Sequence, residues 1–343
     1  MILRINLRFN KNHILFIFAL LIFYIYGFLY HSFPPNAKRG SFPFRIKKGE
    51  GVILISKNLK NYGIIKNENL WAFLAILIRE ENKILEGLYF LDKNMNEVLC
   101  LKSIRYKFSL VPYVRITIPE GYNLKQISRI ISENFNISYD SVYLFFTSPD
   151  KIRPIFEKFN LVPVKTLEGY IFPDTYEFPS GASPYEIGIR GVENLIKVLK
   201  EIGYDTLDSK MDLHKLLTLA SIVEKEAVFD FERPLIASVF LNRLRIGLPL
   251  QADPTIKYVI EEEKGRLSLK DLLIDSPYNT YKHKGLPPGP ICSPGRSSIK
   301  ASLYPASTDY LYFVSKGDGT HHFSKSFEEH KGKKAIYKKV WNF

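Results

Sequence analysis

The sequence predicts an α+β protein with an N-terminal transmembrane helix, a small strand–helix–helix–strand unit and a larger mixed region. Three observations support this prediction: an uncharged apolar run at residues 14–30, short strand and helix patterns at residues 42–111, and a series of helical patterns separated by Gly- and Pro-rich loops at residues 112–343. A chain of 343 residues that is 46% hydrophobic has room for about two domains beyond such an anchor.

The apolar run at residues 14–30 is typical of a membrane anchor. As a helix it would span about 25 Å, close to a hydrocarbon core of about 30 Å. Arg4, Arg8 and Lys11 precede the run, and no basic residue follows it until Lys38. Basic flanks favour the cytoplasmic side, so we expect a single-pass protein of the cytoplasmic (inner) membrane, with residues 1–13 inside and the bulk of the chain outside. A cleaved signal peptide is the alternative, but no small-x-small cleavage pattern follows the run.

The composition limits the partners of an exported chain. Its formal net charge of +13 suits nucleic acid, anionic lipid or an acidic polymer. Export disfavours nucleic acid and leaves lipid headgroups or an acidic wall polymer, although a Lys-rich composition can also reflect the genome. Cys100 and Cys292 are too few for a disulfide framework or a Cys-based zinc site. Unpaired thiols are favoured over one long-range disulfide.

The exported part begins with a Pro-bearing linker at residues 31–41 and a small unit at residues 42–111. The patterns in this unit predict a strand at 44–47, helices at 52–62 and 67–79, a returning strand at 86–91 and a short helix at 97–103. A partial internal repeat relates residues 44–51 to residues 114–121, and each copy precedes a candidate helix. The repeat indicates two related strand–helix units.

The region 112–343 contains longer helical patterns and irregular loops. Helices are predicted at 138–147, 149–159, 184–202, 213–228 and 232–245, turns at 250–255 and 276–281, and a hairpin joining 309–315 to 321–324. Three Gly and four Pro fall within residues 285–295. This composition predicts a stiff loop, either one wall of a binding cleft or a structural crossing.

The helix at residues 213–228 carries a carboxylate on its apolar side. Its predicted buried stripe consists of Leu213, Leu216, Leu217, Leu219, Ala220, Val223, Ala227 and Val228. Glu224 falls within the stripe, Lys225 falls opposite and Glu226 lies near the border. Burial of a carboxyl group favours its protonated form, which glycosidic bond cleavage needs from its acid. The alternative is a Glu at the stripe edge that reaches solvent or a salt bridge.

Several motifs in fixed order resemble the YceG-like family of endolytic murein transglycosylases over nearly the whole chain. They are Leu-Glu-Gly-Tyr-Ile-Phe-Pro-Asp-Thr-Tyr at Leu167, Ala-Ser-Ile-Val-Glu-Lys-Glu at Ala220, Phe-Leu-Asn-Arg-Leu at Phe240, Leu-Gln-Ala-Asp-Pro-Thr at Leu250, Tyr-Asn-Thr-Tyr at Tyr278, Gly-Leu-Pro-Pro-Gly-Pro-Ile at Gly285 and Tyr-Leu-Tyr-Phe-Val at Tyr310. One mild departure is Ala252, where the family often has a small polar residue. The resemblance implies an N-terminal anchor, a LysM-like unit at residues 42–111 and a YceG-like catalytic region at residues 112–343.

The resemblance also implies an activity and a catalytic residue. The family is a group of lyases that cleave the β-1,4 bond between N-acetylmuramic acid and N-acetylglucosamine within nascent peptidoglycan strands, leave 1,6-anhydro ends and terminate elongation. Its catalytic Glu corresponds to Glu224. Peptidoglycan strands, the membrane and peptidoglycan synthases are the expected partners, and nucleic acid is not. No cofactor is expected.

The polar residues of the predicted turns are candidates for substrate contacts. Gln251, Tyr278 and Asn279 are the substrate-binding candidates, unless they only hold their turns together through bonds to the backbone. Four aromatic side chains are candidates for stacking on sugar rings, and the alternative is a simple role in the core. They are Tyr170, Phe172, Tyr281 and Tyr312. The spacing of His321, His322 and His330 matches no standard zinc site, so no metal is expected.

Two other functions remain open at the level of the sequence. One is a hydrolytic muramidase in which Glu224 is paired with Asp253 or Asp174, because ordinary glycosidases use two carboxylates. The other is a non-catalytic wall-binding protein that uses the small unit and the basic surface. Glu226 is the second choice for the acid.

Overall fold

The computed structural model describes residues 42–78, 84–93, 95–105, 110–111, 113–204, 212–260 and 267–340, together with Phe18, Ala19 and Phe23. Helices and short strands alternate along this part of the chain, so the predicted α+β class is confirmed. Apart from those three positions, the predicted anchor and linker lie outside the described residues. None of the described helices is both long and apolar enough to span a bilayer. The chain divides into two compact units, Met1–Tyr113 and Val114–Phe343.

The first unit contains three strands and three helices among its described residues. In chain order they are β1 (Phe42–Ile46), α1 (Val52–Asn61), α2 (Glu68–Leu77), β2 (Gly87–Leu91), α3 (Glu97–Arg105) and β3 (Leu110–Val111). β2 pairs with β1 and with β3, antiparallel in both cases. The side chain of Asn67 caps α2 by accepting from the Leu70 N–H at 3.0 Å. Trp71 and Tyr89 are fully buried in this unit's own core.

The second unit begins with a two-stranded sheet and four helices. These elements are β4 (Tyr113–Thr117), α4 (Leu124–Phe135), α5 (Tyr139–Thr147), α6 (Pro149–Lys158), β5 (Thr175–Pro179) and α7 (Pro184–Glu201). Capping boxes start α4 at Asn123 and α7 at Ser183. The apolar faces of these helices form a core with the first turns of the next helix, where Leu216, Leu217 and Ala220 are buried. This core anchors the helix that carries Glu224.

The remainder of the second unit surrounds that helix. It contains α8 (Leu213–Glu226), α9 (Arg233–Arg245), α10 (Asp253–Ile260), α11 (Arg296–Leu303), β6 (Tyr312–Ser315), β7 (His321–Ser324) and α12 (Phe327–Val340). Asp212 caps α8 by accepting from the N–H groups of His214 at 2.9 Å and Lys215 at 3.2 Å. α8 packs against α9, α10 and α11. The predicted hairpin is confirmed, since β6 and β7 pair antiparallel.

Some sequence predictions for this region were wrong or incomplete. The predicted turn at 250–255 ends early because α10 starts at Asp253, with Pro254 tolerated in its first turn. Val228 is 64% exposed instead of buried, because α8 ends at Glu226. α11 and α12 were not predicted, and both sequences contain few apolar residues. Cys100 and Cys292 are both buried and unpaired, as expected.

The carboxylate of Glu168 is buried where three segments of the second unit meet. Glu168 is 4% exposed, and both of its carboxylate oxygens accept from the Leu124 N–H at the start of α4, each at 3.1 Å. The Tyr258 hydroxyl in α10 donates to Oε2 at 3.1 Å. Burial raises the pKa of Glu168 to about 7, and the Leu124 and Tyr258 hydrogen bonds oppose that rise. Glu168 therefore joins the loop at residues 167–176 to α4 and α10.

The raised pKa of Glu168 predicts a pH-dependent stability. Between about pH 4.5 and about pH 7 the folded chain keeps a proton that the unfolded chain releases, so the free energy of unfolding falls as the pH rises through this window. A difference of this size is worth on the order of 3 kcal/mol. Glu168→Gln removes the titrating group, so its thermal unfolding midpoint should fall less than that of the wild type between about pH 5 and about pH 8.

Glu133→Gln is the matched control, because it makes the same chemical change at a residue that is exposed on α4. It should keep the pH dependence of the wild type. Equal changes in the midpoint for wild type and Glu168→Gln would contradict the role given to Glu168.

Candidate active site

The Pro-rich loop at residues 285–295 lies along one face of α8. His214, Ser221 and Glu224 are spaced by seven and three positions and therefore share a helix face. Three side chains of this face hydrogen bond to the loop: His214 Nε2 to the Pro288 carbonyl (2.9 Å), Ser221 Oγ to the Ile291 N–H (3.0 Å) and Glu224 Oε2 to the Gly295 N–H (2.9 Å). The predicted stiff loop is thus fixed to the helix from its first turn to its last.

The tautomer of His214 follows from its two partners. A carbonyl only accepts, so Nε2 donates to Pro288 and Nδ1 accepts from the Tyr170 hydroxyl at 3.0 Å. Tyr170 and Phe172, two of the suggested sugar-stacking residues, are buried in the core of the second unit. Tyr170 links this core to α8 through its hydrogen bond to His214.

Glu224 occupies the last turn of α8, and its carboxylate is almost enclosed. Its side chain is 7% exposed, and Oε2 lies 3.4 Å from Nη1 of Arg233, whose side chain is 8% exposed. Arg233 also donates to Ser298 Oγ at 2.5 Å and to Asp230 Oδ1 at 2.8 Å. The Gly295 N–H immediately precedes α11, so the positive end of that helix dipole faces the carboxylate. A buried carboxylate is thus held in one orientation by a cation and a backbone donor.

Glu120 is a second acidic residue at this site, and sequence reasoning did not single it out. Glu120 is an exposed residue, but its carboxyl group is partly shielded from water; this partial burial, and then the charge of Glu224, raises the pKa of Glu120, while Arg233 opposes the rise. In the sequence, the Ile-Pro-Glu-Gly string around it stands out only as part of the internal repeat. Nothing in that string distinguishes Glu120 from Glu50 in the first copy, because the distinction depends on which helix lies alongside.

The three predicted substrate-binding residues lie in the loops around α10. Asn279 is fully buried; its amide donates to the carbonyls of Leu272 (3.0 Å) and Ile274 (2.8 Å) and accepts from the Tyr281 N–H (2.9 Å). These bonds use the side chain to shape its own loop, which matches the alternative interpretation of this residue. Its role in substrate binding stays a prediction that this geometry does not favour.

Gln251 and Tyr278 are more accessible. Gln251 is exposed and has a left-handed backbone with φ of 50°, while its N–H donates to the Thr280 carbonyl at 3.1 Å. A non-glycine residue in this conformation is often found at a functional site. The ring of Tyr278 packs against Tyr258 at 5.1 Å, and burial raises the pKa of Tyr278 to about 12. Among the described residues, neither side chain hydrogen bonds to Glu224.

The second-choice acid, Glu226, belongs to a different cluster. Burial, and then the charge of Asp253, raises the pKa of Glu226 to about 8, against the opposing charges of Lys257 and Arg243. Asp253 in turn accepts from the Tyr281 hydroxyl. A carboxyl in these surroundings can also keep a proton near neutral pH, so Glu226 remains the competitor that an experiment must separate from Glu224.

The remaining candidates have local partners. Asp174 is exposed and accepts from Asn194 Nδ2 at 2.8 Å. The ring of Tyr312 lies 5.1 Å from the guanidinium of Arg243. His321 Nδ1 lies 2.8 Å from Glu232 Oε2. In the described ranges, no group of three or more His, Cys, Asp and Glu side chains is arranged to hold a metal ion.

Comparisons with known proteins agree with the motifs. The model of the YceG-like family matches residues 44–336. An endolytic murein transglycosylase of Bacillus subtilis (strain 168) is 35% identical over 302 residues, which are 85% of this chain and 83% of that protein. An endolytic murein transglycosylase of Streptococcus pneumoniae (strain ATCC BAA-255 / R6) is 32% identical over 311 residues. That match covers 83% of this chain but only 56% of the pneumococcal protein.

A solved structure shares the fold. The crystal structure of a yceG-like protein from Listeria monocytogenes superposes with a TM-score of 0.60 and 34% sequence identity, covering 85% of this chain and 98% of that one. Since the family match spans most of the chain and the relatives align over more than four fifths of it, this protein belongs to the YceG-like family.

Proposed function

We propose that this chain is an endolytic murein transglycosylase that cleaves peptidoglycan glycan strands, with Glu224 as its acid and base. The observation that carries the assignment of Glu224 is its enclosed carboxylate, held between Arg233 and the Gly295 N–H at the end of α8. The names of the relatives support the substrate class and the reaction. The reaction requires neither a cofactor nor a metal.

The reaction needs one group that first donates a proton and then takes one. Glu224 protonates the glycosidic oxygen of the β-1,4 bond, and the electron pair of the breaking C1–O bond goes to that oxygen. The C6 hydroxyl of the same muramic residue attacks C1, and its proton passes to the Glu224 carboxylate. The products are a 1,6-anhydro end and a new N-acetylglucosamine end, so the strand is terminated. Arg233 and the Gly295 N–H stabilise the carboxylate that exists between the two transfers.

A single carboxylate suffices because the substrate provides the nucleophile. Hydrolytic glycosidases need a second carboxylate to activate water or to attack C1. In a muramidase Asp253 or Asp174 would have to face Glu224, whereas Asp253 interacts with Glu226 and Tyr281 and Asp174 bonds Asn194. These contacts argue against Asp253 and Asp174 as the second carboxylate of a muramidase, so the form of the product ends is the measurement that separates the lyase from the hydrolase.

The proposal extends to topology and to the first unit. Residues 14–30 anchor the chain in the cytoplasmic membrane, with residues 1–13 inside and the rest outside, where peptidoglycan synthases also work. Residues 42–111 form a LysM-like unit that binds glycan strands, and residues 112–343 form the catalytic region. Support for the unit comes from its strand–helix–helix–strand order and from exposed apolar side chains on α1 and α2, such as Ile53 and Phe73. A spacer above the membrane is its other possible role.

Glu224→Gln should abolish strand cleavage. The amide keeps the shape of the side chain but cannot transfer the proton, which costs at least about 10²- to 10⁴-fold in rate. Purified glycan strands are treated with each variant, and 1,6-anhydro ends are counted by mass spectrometry. Glu226→Gln is the control on the same helix and should keep most of the activity. If Glu226→Gln is inactive and Glu224→Gln is active, the acid is Glu226. Reducing ends from the wild type would instead identify a hydrolase.

The anchor predicts a defined protease sensitivity. Protease added to intact spheroplasts should digest the bulk of the chain, because everything after residue 30 is exposed outside. Lysed spheroplasts and a cytoplasmic marker protein provide the controls. Protection of the whole chain until lysis would exclude this topology.

Removal of residues 42–111 should weaken cleavage of long strands while short soluble fragments are still cut, because the unit contributes binding and not chemistry. Cleavage rates on long and short substrates are compared with those of the full chain, after thermal unfolding has shown that the remainder is folded. Loss of all cleavage in a folded remainder would mean that this unit helps to form the active site.

A further inference from the structure

Glu120 is placed against the same glycine that holds Glu224. Gly295 donates its N–H to Glu224 Oε2, and a Cβ added to Gly295 would collide with the carboxylate of Glu120, approaching Oε2 to 2.7 Å. The Glu120 carboxylate thus occupies the space that any larger residue at position 295 would fill. The two carboxylates flank one residue from different sides.

The segment that carries Glu120 is tied to both walls of the site. The Gly121 N–H donates to the Ser293 carbonyl at 2.9 Å, and the Ser293 N–H donates to the Tyr122 carbonyl at 2.8 Å. Lys225 on α8 donates through Nζ to the Gly121 carbonyl at 3.3 Å. These bonds fix the backbone on the C-terminal side of Glu120, so the position of its carboxylate is a feature of the fold.

Glu120 differs from Glu224 in accessibility and in partners. Glu120 is an exposed residue, whereas the side chain of Glu224 is enclosed. Arg233, the cation close to Glu224, also bonds Asp230 and Ser298. Glu120 therefore adds negative charge on the solvent-exposed side of the site. Arg233, the buried cation near Glu224, already interacts with other partners.

Cleavage of a glycosidic bond develops positive charge on C1 and the ring oxygen of the sugar. A fixed carboxylate stabilises such charge without having to reorganise during the reaction. Building on the proposed function, we infer that Glu120 is a second catalytic carboxylate, which faces the muramic ring and stabilises its oxocarbenium-like transition state. It forms no bond to C1 and transfers no proton: Glu224 supplies and recovers the proton, and the C6 oxygen forms the new bond.

The test is a comparison of Glu120→Gln with Glu133→Gln on purified glycan strands. Glu120→Gln retains the shape of the side chain but removes its charge, so kcat should fall about 10²-fold. KM should stay within about threefold, because the lost interaction belongs to the transition state. Glu120→Asp keeps the charge but places it farther from the sugar, so its kcat should lie between those of Glu120→Gln and the wild type. Glu133→Gln, the same change at an exposed site, should behave as the wild type.

Gly295→Ala tests the placement of the carboxylate. The φ of −75° at Gly295 accepts alanine, and the clash falls on the end of the flexible Glu120 side chain. Gly295→Ala should therefore lower kcat in the wild-type background, but much less in the Glu120→Gln background, where the charge is already lost. Equal losses in both backgrounds would contradict the inferred contact.

The outcomes separate this inference from the proposed function. If the wild type forms 1,6-anhydro ends and Glu120→Gln is as active as Glu133→Gln, Glu120 is not catalytic although the function stands. A change in KM alone would also overturn the inference, since it would show ground-state binding. If the wild type forms no anhydro ends, the proposed function itself fails. Thermal unfolding midpoints of Glu120→Gln and Glu133→Gln that agree would exclude loss of fold as the cause.

Discussion

The alignment of the loop at residues 285–295 along α8 is the interaction on which the rest of the site depends. Hydrogen bonds to the side chains of His214, Ser221 and Glu224 hold the loop along the length of the helix. Four prolines limit the conformations of the loop before it folds, so less conformational entropy is lost when it docks. As a result, Gly295 lies beside the last turn of α8, and its N–H is directed at the carboxylate of Glu224.

The same loop organises the segments packed against it. Gly169 has φ of +79°, and a Cβ there would lie 2.5 Å from Pro290 Cβ, so the loop at residues 167–176 packs closely against the Pro-rich loop. Its neighbour Glu168 bonds the start of α4, and Ser293 pairs with Gly121 and Tyr122. One rigid loop therefore brings together Glu120 and Glu224, which come from distant segments of the second unit.

Three acidic side chains differ in burial and in partners: Glu168 is buried, the carboxylate of Glu224 is enclosed, and Glu226 is half-buried. Glu224 has a cation and a backbone donor. Glu168 has a backbone donor and the Tyr258 hydroxyl, which compensate its burial only in part. Glu226 has Asp253 as a like-charged neighbour as well as two cations. A fold that buries several carboxyl groups is destabilised where they must ionise, and enzymes accept this cost where an acid is needed.

The amino-acid sequence by itself determined the local structure and the family. The apolar periodicity of α8 placed Glu224 on the buried side, the Gly and Pro content marked the loop, and the motif order indicated the YceG-like family. These features depend on neighbours within a few turns of chain, which a pattern in the sequence can report.

Tertiary structure alone decided how distant residues combine. Glu224 and Gly295 are separated by 71 positions, and Lys225 and Gly121 by 104. No periodicity in one segment reports such a contact, so Glu120 was missed and the role of Asn279 was left open between substrate and backbone. α11 was not predicted either, and its packing against α8 is again a contact between segments that are distant in the sequence. The sequence singled out Glu224 as the candidate acid, and tertiary packing determined which groups surround it.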